Sequence, residues 1–244
     1  MVNSTLNPSS WVARDVLTFL RKTVFDDITY FTEPNEEEQP ALLQASEKLV
    51  ENTRVLLDPP DGDEGYDRWP SAEAIGDYPL PVEKLEKLLQ RAIGADHLGR
   101  RTFPSAGAMY SVSLRVAIFE TDVVAKVYGF EASSGKLLPP RLMDGRALRK
   151  AVLGIEEPRF GIGTAILFFV VDLERALEKY KHRGLLFAMM DVGAMYQNIL
   201  RDAQAYGITS RVWGGFSPFR VMQILGLNPS ITPVVLTQLL GALK

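Results

Sequence analysis

The chain has 244 residues, 46% of them hydrophobic and 23% charged, and carries a formal net charge of −3; this is the make-up of a globular chain able to bury one substantial core. It contains no cysteine and only two histidines, His97 and His182, which excludes disulfides, thiolate metal centres and cysteine nucleophiles and leaves too few imidazoles for a histidine-built metal site. The charge is unevenly divided, with 14 acidic and 5 basic residues in 1–67 against 16 and 22 in 68–244, so an acidic leading segment precedes a mildly basic body suited to an anionic ligand.

In chain order, Trp11, Val12, Val16, Phe19 and Leu20 recur at helical spacing over residues 10–25. A polar break, "TEPNEEEQP", leads to a second helix over about 40–57. The stretch "DPPDGDEGYDRWP" puts prolines, glycines and five acids together and marks a boundary. The domain reading is therefore an acidic helical segment, 1–67, followed by a separate domain, 68–244. "YPLPVEKLEKLLQRAIG" predicts a helix entered from proline and left at Gly94, with Val82, Leu85, Leu88, Leu89 and Ile93 on one face. In "SVSLRVAIF" the alternation of Val112, Leu114, Val116 and Ile118 predicts a strand. "VVAKVYGFEASSGKLLPP" reads as a hairpin around "SSG", a short helix follows at 146–154, and "TAILFFVVDL" is a buried strand. Residues 173–206 are helical in pattern with a break near "KHRG". The chain closes with "SRVWGGF", a helix "SPFRVMQILG" and a strand "TPVVLTQLLG". The hairpin argues against a purely parallel sheet, so the expected fold is α+β, with a central, mostly antiparallel sheet flanked by helices.

No dense Lys/Arg block is present, so nucleic acid is not an expected partner. The N-terminal "MVNSTLNPSSWVARDV" lacks the pattern of a secretory signal, and the longest apolar runs are too short for a bilayer. The expectation is a cytoplasmic protein without membrane contact.

Four stretches could carry chemistry. In "RRTFPSAGAMYS" (residues 100–111), Pro104 fixes one backbone angle while Ala106, Gly107 and Ala108 present almost no bulk, so a flat ring could lie against the backbone. Arg100 and Arg101 could reach a phosphate and Ser105 could add a hydroxyl; a plain turn into the strand explains the same residues. "FGIGTA" at 160–165 lacks a third glycine and runs into a strand, so it fails as a dinucleotide fingerprint. "EKYKHRG" at 178–184 reads either as a solvated helix end or as a site where Lys179 or Tyr180 moves a proton, the lysine needing burial for that task. In "RVWGGFSPF", Gly214 and Gly215 permit close approach of a ligand just before a helix start, or form a simple turn.

In their order along the chain, "RRTFPSAGAMY", "KYKHRGLLFAMMDVGAMYQN", "VWGGF" and "PVVLTQLLG" resemble the nitroreductase-like FMN-dependent dehydrogenases, and among them the streptolysin S-type and microcin-type thiazoline/oxazoline dehydrogenases. The resemblance covers about residues 68–244, and P-S-A-G-A-x-Y is its most specific element. It implies a nitroreductase-like fold in an intertwined homodimer with FMN at the subunit interface and no metal. Carried over by position, it implies that Arg100, Arg101, Ser105, Gly107, Gln197, Asn198, Gly214 and Gly215 serve FMN binding. Only Arg68 stands where relatives have a cluster of upstream arginines, which leaves the phosphate largely to Arg100 and Arg101. Lys179 and Tyr180 fall on the family's catalytic Lys-Tyr pair. The implied reaction removes a proton from a thiazoline or oxazoline ring and passes hydride to the flavin, leaving an azole, with dioxygen as final oxidant. The implied partners are a modified precursor peptide or carrier-bound azoline and a cyclodehydratase; the acidic segment 1–67 could dock the cyclodehydratase or the peptide, or could simply be a helical cover on the core. Two other readings stay open: another flavin oxidoreductase of this fold, acting on nitroaromatics or on a peptide- or carrier-bound intermediate, or a flavin-poor scaffold for a partner enzyme.

Overall fold

A computed structural model describes residues 72, 74–76, 80–154 and 164–242, which belong to the compact unit Trp69–Lys244. The acidic segment 1–67 with its two expected helices, Arg68 and most of "FGIGTA" lie outside the described residues.

Helix α1, Val82–Ile93, buries Leu85, Leu88, Leu89, Ala92 and Ile93, the face that the sequence spacing sets apart. Strand β1, Val112–Phe119, runs antiparallel to β2, Val124–Glu131. β2 turns through Gly135, at φ +68, into the two-residue β3, Lys136–Leu137, as the hairpin reading expects. A further strand, β4 (Arg141–Asp144), pairs with the first half of β2. Thus β3 and β4 divide the outer edge of β2 between them. Asp144 then caps α2, Gly145–Leu153, by accepting from the Ala147 amide.

β5, Ala165–Val171, is buried along its whole length. Ala165, Leu167, Phe169 and Val171 enter the hydrophobic cluster under α1, whereas Ile166, Phe168 and Val170 enter the cluster under α2. A continuous apolar run results because both faces of the sheet are covered. Asp172 caps α3, Leu173–Tyr180, through the Arg175 amide. Lys181, at φ +48, separates α3 from the long α4, His182–Ala205. The break falls within the "KHRG" region singled out by the sequence. The corner is tight: a Cβ on Gly184 would lie 1.7 Å from the Ala176 carbonyl oxygen. β6 (Thr209–Trp213), α5 (Pro218–Leu225) and β7 (Val234–Gly241) complete the unit.

The sheet order is β3-β2-β1-β5-β7-β6, with β4 beside β2, and every strand pairing is antiparallel. This places functional loops together. The start of β1, the end of β5, the start of β7 and the end of β6 share one end of the sheet. The loop before β1, helix α3 after β5 and the Gly214–Gly215 turn after β6 all leave from that end. Among the described residues no helix is long and apolar enough to cross a membrane.

Candidate active site

The loop between α1 and β1 is held at both ends. An isolated antiparallel bridge joins Ala95 to Arg101. On the other side, Ser105 donates its hydroxyl to Asp191 Oδ2 at 2.7 Å and accepts the Tyr110 amide at 3.1 Å. Between Ser105 and β1 the backbone departs from ordinary conformations. Residues 106–108 form a single 3-10 turn, and Gly107, Ala108 and Tyr110 all have positive φ, at +59, +54 and +44. Glycine accepts this region freely, and alanine and tyrosine are held there only by surrounding contacts. Tyr110 supplies several of them. Its hydroxyl accepts the Arg101 amide at 3.2 Å, its ring packs edge-on to Phe103, and the Arg101 guanidinium lies 5.2 Å from the ring centre.

The two motifs meet at Gly107. A Cβ on this residue would fall 2.6 Å from the Tyr180 hydroxyl and 3.0 Å from Lys179 Nζ. The phenol ring is steadied by edge-on contact with Phe187, 5.0 Å between centres, and the Lys179 ammonium lies 5.4 Å from the Tyr180 ring centre. Tyr180 is partly buried, whereas Lys179 is exposed, so the burial asked of this lysine by its sequence reading is not found in the chain alone.

The two loop arginines part company. Arg100 turns to Asp96, which takes its Nε and Nη2 at 2.8 Å and also accepts the Leu98 and Arg100 amides. That exposed turn is self-contained, and those amides and the guanidinium hold the Asp96 carboxyl below its usual range. Arg101 is partly buried. Burial, then the nearby Arg175 guanidinium, hold it below the usual arginine range against the opposing pull of Tyr110 and Asp191. Among the described residues no carboxylate oxygen lies within ion-pair distance of Arg101. It is the loop cation left to meet an anion.

The other expected site residues are spread more widely. Asn198 donates to the Ala92 carbonyl at 3.1 Å, a group that also accepts from the Thr102 hydroxyl. It therefore closes the C-terminal end of α1, where carbonyls lack helical partners. Gln197 is exposed on α4. Gly214 and Gly215 are exposed at the loop's end of the sheet, but three strand spacings from β1, roughly 14 Å. Trp213, just before them, donates its indole N–H to the Val152 carbonyl, on the α2 side. The chain thus joins Ser105 and Gly107 to Lys179 and Tyr180, and sets Gly214–Gly215 apart.

Sequence reasoning missed Asp191. It is 4% exposed, and burial raises its carboxyl above the ordinary aspartate value, opposed by the Ser105 hydrogen bond and by Arg101. A signal existed: Asp191 falls on the same face as Gly184, Ala188, Met195 and Ile199, the buried face of α4. A carboxylate on that face needs a partner.

The loop suits a flat anionic cofactor. Its backbone at 106–108 carries nothing larger than a methyl group, Gly107 and Ala108 are exposed, and Arg101 and Lys179 provide cations beside it. Among the described residues there is no cluster of potential metal ligands.

The family model "Nitroreductase family" matches residues 76–241. The microcin B17-processing protein McbC of Escherichia coli is 28% identical over 169 residues, 66% of this chain and 62% of McbC. The chain thus spans less than two thirds of that relative. The solved E. coli microcin synthetase McbBCD complex with truncated pro-MccB17 bound contains a chain that superposes with a TM-score of 0.66 at 25% identity, covering 77% of each chain.

Proposed function

The chain belongs to the nitroreductase family, and on that premise we propose that it is an FMN-dependent dehydrogenase that converts thiazoline or oxazoline rings of a modified peptide to azoles. The observation that carries the reading is the convergence of Gly107 with the Tyr180 hydroxyl and Lys179 Nζ, which puts a proton-handling pair beside bare backbone. Bound FMN would supply the hydride acceptor. Aromatisation removes one proton and one hydride from the ring. Tyr180 takes the proton as a phenolate and becomes the neutral phenol, with the Lys179 ammonium as counter-charge to that phenolate before the transfer. Arg101 would hold the cofactor's phosphate, and the segment 107–110, left-handed at Gly107, Ala108 and Tyr110, would offer bare backbone to its rings. A partner subunit in a homodimer would add the walls that a single chain leaves open. The similarity to McbC and to a chain of the McbBCD complex supports a modified precursor peptide as substrate and a cyclodehydratase as partner.

The purified protein is expected to be yellow and to release FMN on denaturation. Incubation with an azoline-containing peptide in air should give a mass loss of two hydrogens per ring. A colourless protein that cannot be reconstituted with FMN overturns the flavin reading. A yellow protein that reduces nitroarenes with NAD(P)H and leaves the peptide unchanged makes it a different oxidoreductase of this fold.

A further inference from the structure

Ser105 has no hydroxyl capacity to spare for a ligand's hydrogen-bond acceptor. Its one proton goes to Asp191 Oδ2 at 2.7 Å, and its oxygen already accepts from the Tyr110 amide at 3.1 Å. The residue that the motif offers to a cofactor is bonded inward. What it holds is the segment with three left-handed residues, Gly107, Ala108 and Tyr110, a conformation that persists only when its surroundings fix it. The anchor is a carboxylate on α4, 86 residues along the chain. It is buried among the apolar side chains that pack α4 on the sheet. A lone buried carboxylate is costly unless it is bonded, and Ser105 donates the hydrogen bond that Asp191 accepts.

We propose that Asp191 is the positioning residue of this site. Through Ser105 it fixes the segment 107–110, with its left-handed residues Gly107, Ala108 and Tyr110, on α4, and so sets Gly107 against Tyr180 and Lys179. Helix α4 follows α3 across the single residue Lys181. The same rigid corner therefore carries the proton-handling pair at the end of α3 and the loop's anchor on α4. Loop and pair are held in register by one element. The consequence for cofactor binding rests on the flavin-dependent reading; the structural role does not.

The test uses the full-length protein and amide hydrogen exchange at Tyr110, whose N–H reports directly on Ser105 Oγ. Asp191→Ala is expected to speed this exchange roughly tenfold, the weight of one ordinary hydrogen bond. Asp191→Asn keeps an acceptor oxygen in the same place and is expected to restore protection to within about threefold of the wild type. Ser105→Ala should match Asp191→Ala, and the double variant should add nothing further. Asp191→Leu repeats the measurement should the alanine variant not fold. FMN titration is the second readout, with the dissociation constant rising in parallel in Asp191→Ala and Ser105→Ala and recovering in Asp191→Asn. Unchanged exchange in Asp191→Ala, or independent additive effects of the two substitutions, overturns the positioning role. Altered exchange in a protein that binds no FMN at all, wild type included, leaves that role standing and sinks the flavin reading alone.

Discussion

Gly107 and Tyr180 stand so close that a single methyl group on the glycine would come within 2.6 Å of the phenol oxygen. Gly107→Ala therefore faces two penalties, the left-handed φ of +59, at about 1–2 kcal/mol, and the collision. The expected outcome is a stability loss of about that size in urea denaturation, together with weaker FMN binding. Tyr180→Phe removes the colliding atom, so the double variant should lose less stability than the sum of the single variants. Strict additivity would show that the two residues do not meet.

The pair at the end of α3 acts on protons in the proposed reaction, so its removal should separate chemistry from binding. Tyr180→Phe is expected to lower azoline oxidation by at least about a hundredfold, the usual weight of a positioned acid or base, with FMN retained. Lys179→Ala should lower turnover as well. Single-turnover assays on flavin-loaded protein read this directly. A loss confined to FMN affinity would reassign the pair to cofactor binding.

Adjacent arginines should behave differently. Arg101 is partly buried and lacks a carboxylate partner among the described residues, whereas Arg100 is spent on Asp96 at the surface. Arg101→Ala is expected to weaken FMN binding roughly tenfold or more, as for loss of a charge-assisted contact. Arg100→Ala should leave binding within about threefold, because exposed pairs contribute little. Fluorescence titration of FMN against each variant decides the matter, and equal losses would contradict the division.

Asp191 predicts a pH dependence with a defined sign. Burial raises its carboxyl above the ordinary 3.8, so the folded protein keeps a proton that the unfolded chain has released. Its contribution to stability is fully present below the ordinary value and is lost as pH rises through the raised one. Denaturation of wild type and Asp191→Asn across the acid range should therefore show the wild type losing ground to the variant as pH increases from about 4. A difference that is flat with pH, or that moves the other way, would refute this.

At the corner between α3 and α4, Gly184→Ala would drive a methyl group into the Ala176 carbonyl. Overpacking of this kind costs about 1–3 kcal/mol or more. The displaced helix end should also lower turnover, since Lys179 and Tyr180 sit on it. Denaturation and activity are expected to fall together.

Much of the fold was legible because its signals are local. The spacing of Leu85, Leu88, Leu89 and Ile93 marks α1, the alternation from Val112 to Val116 marks β1, and "KHRG" marks the break at Lys181. β4 was not legible: "RLMD" is four residues with no alternation, and it becomes a strand because the first half of β2 needs an edge partner. The site followed the same division. Gly107, Lys179 and Tyr180 stand out by residue type and motif, and the fold brings them together. The inward commitment of Ser105 did not stand out, because its partner lies on another element and only the topology closes the distance. The pairing of Arg100 with Asp96 was hidden for a related reason. Asp96 sits four residues back in an irregular turn, where no periodic pattern announces a contact.

The corner at Lys181 also works as a ruler. α3 begins at a fixed point, since Asp172 is tied to Ser111 at the start of β1 and Leu173 to Ile231 before β7. From there Lys179 and Tyr180 are reached by counting residues along a helix of 8. One residue inserted between Leu173 and Leu177 would advance the pair by about 1.5 Å and swing it through about 100°, carrying it off Gly107 altogether. Length variation is therefore forbidden in α3, and the site's geometry is written as a number of residues as much as in their identities.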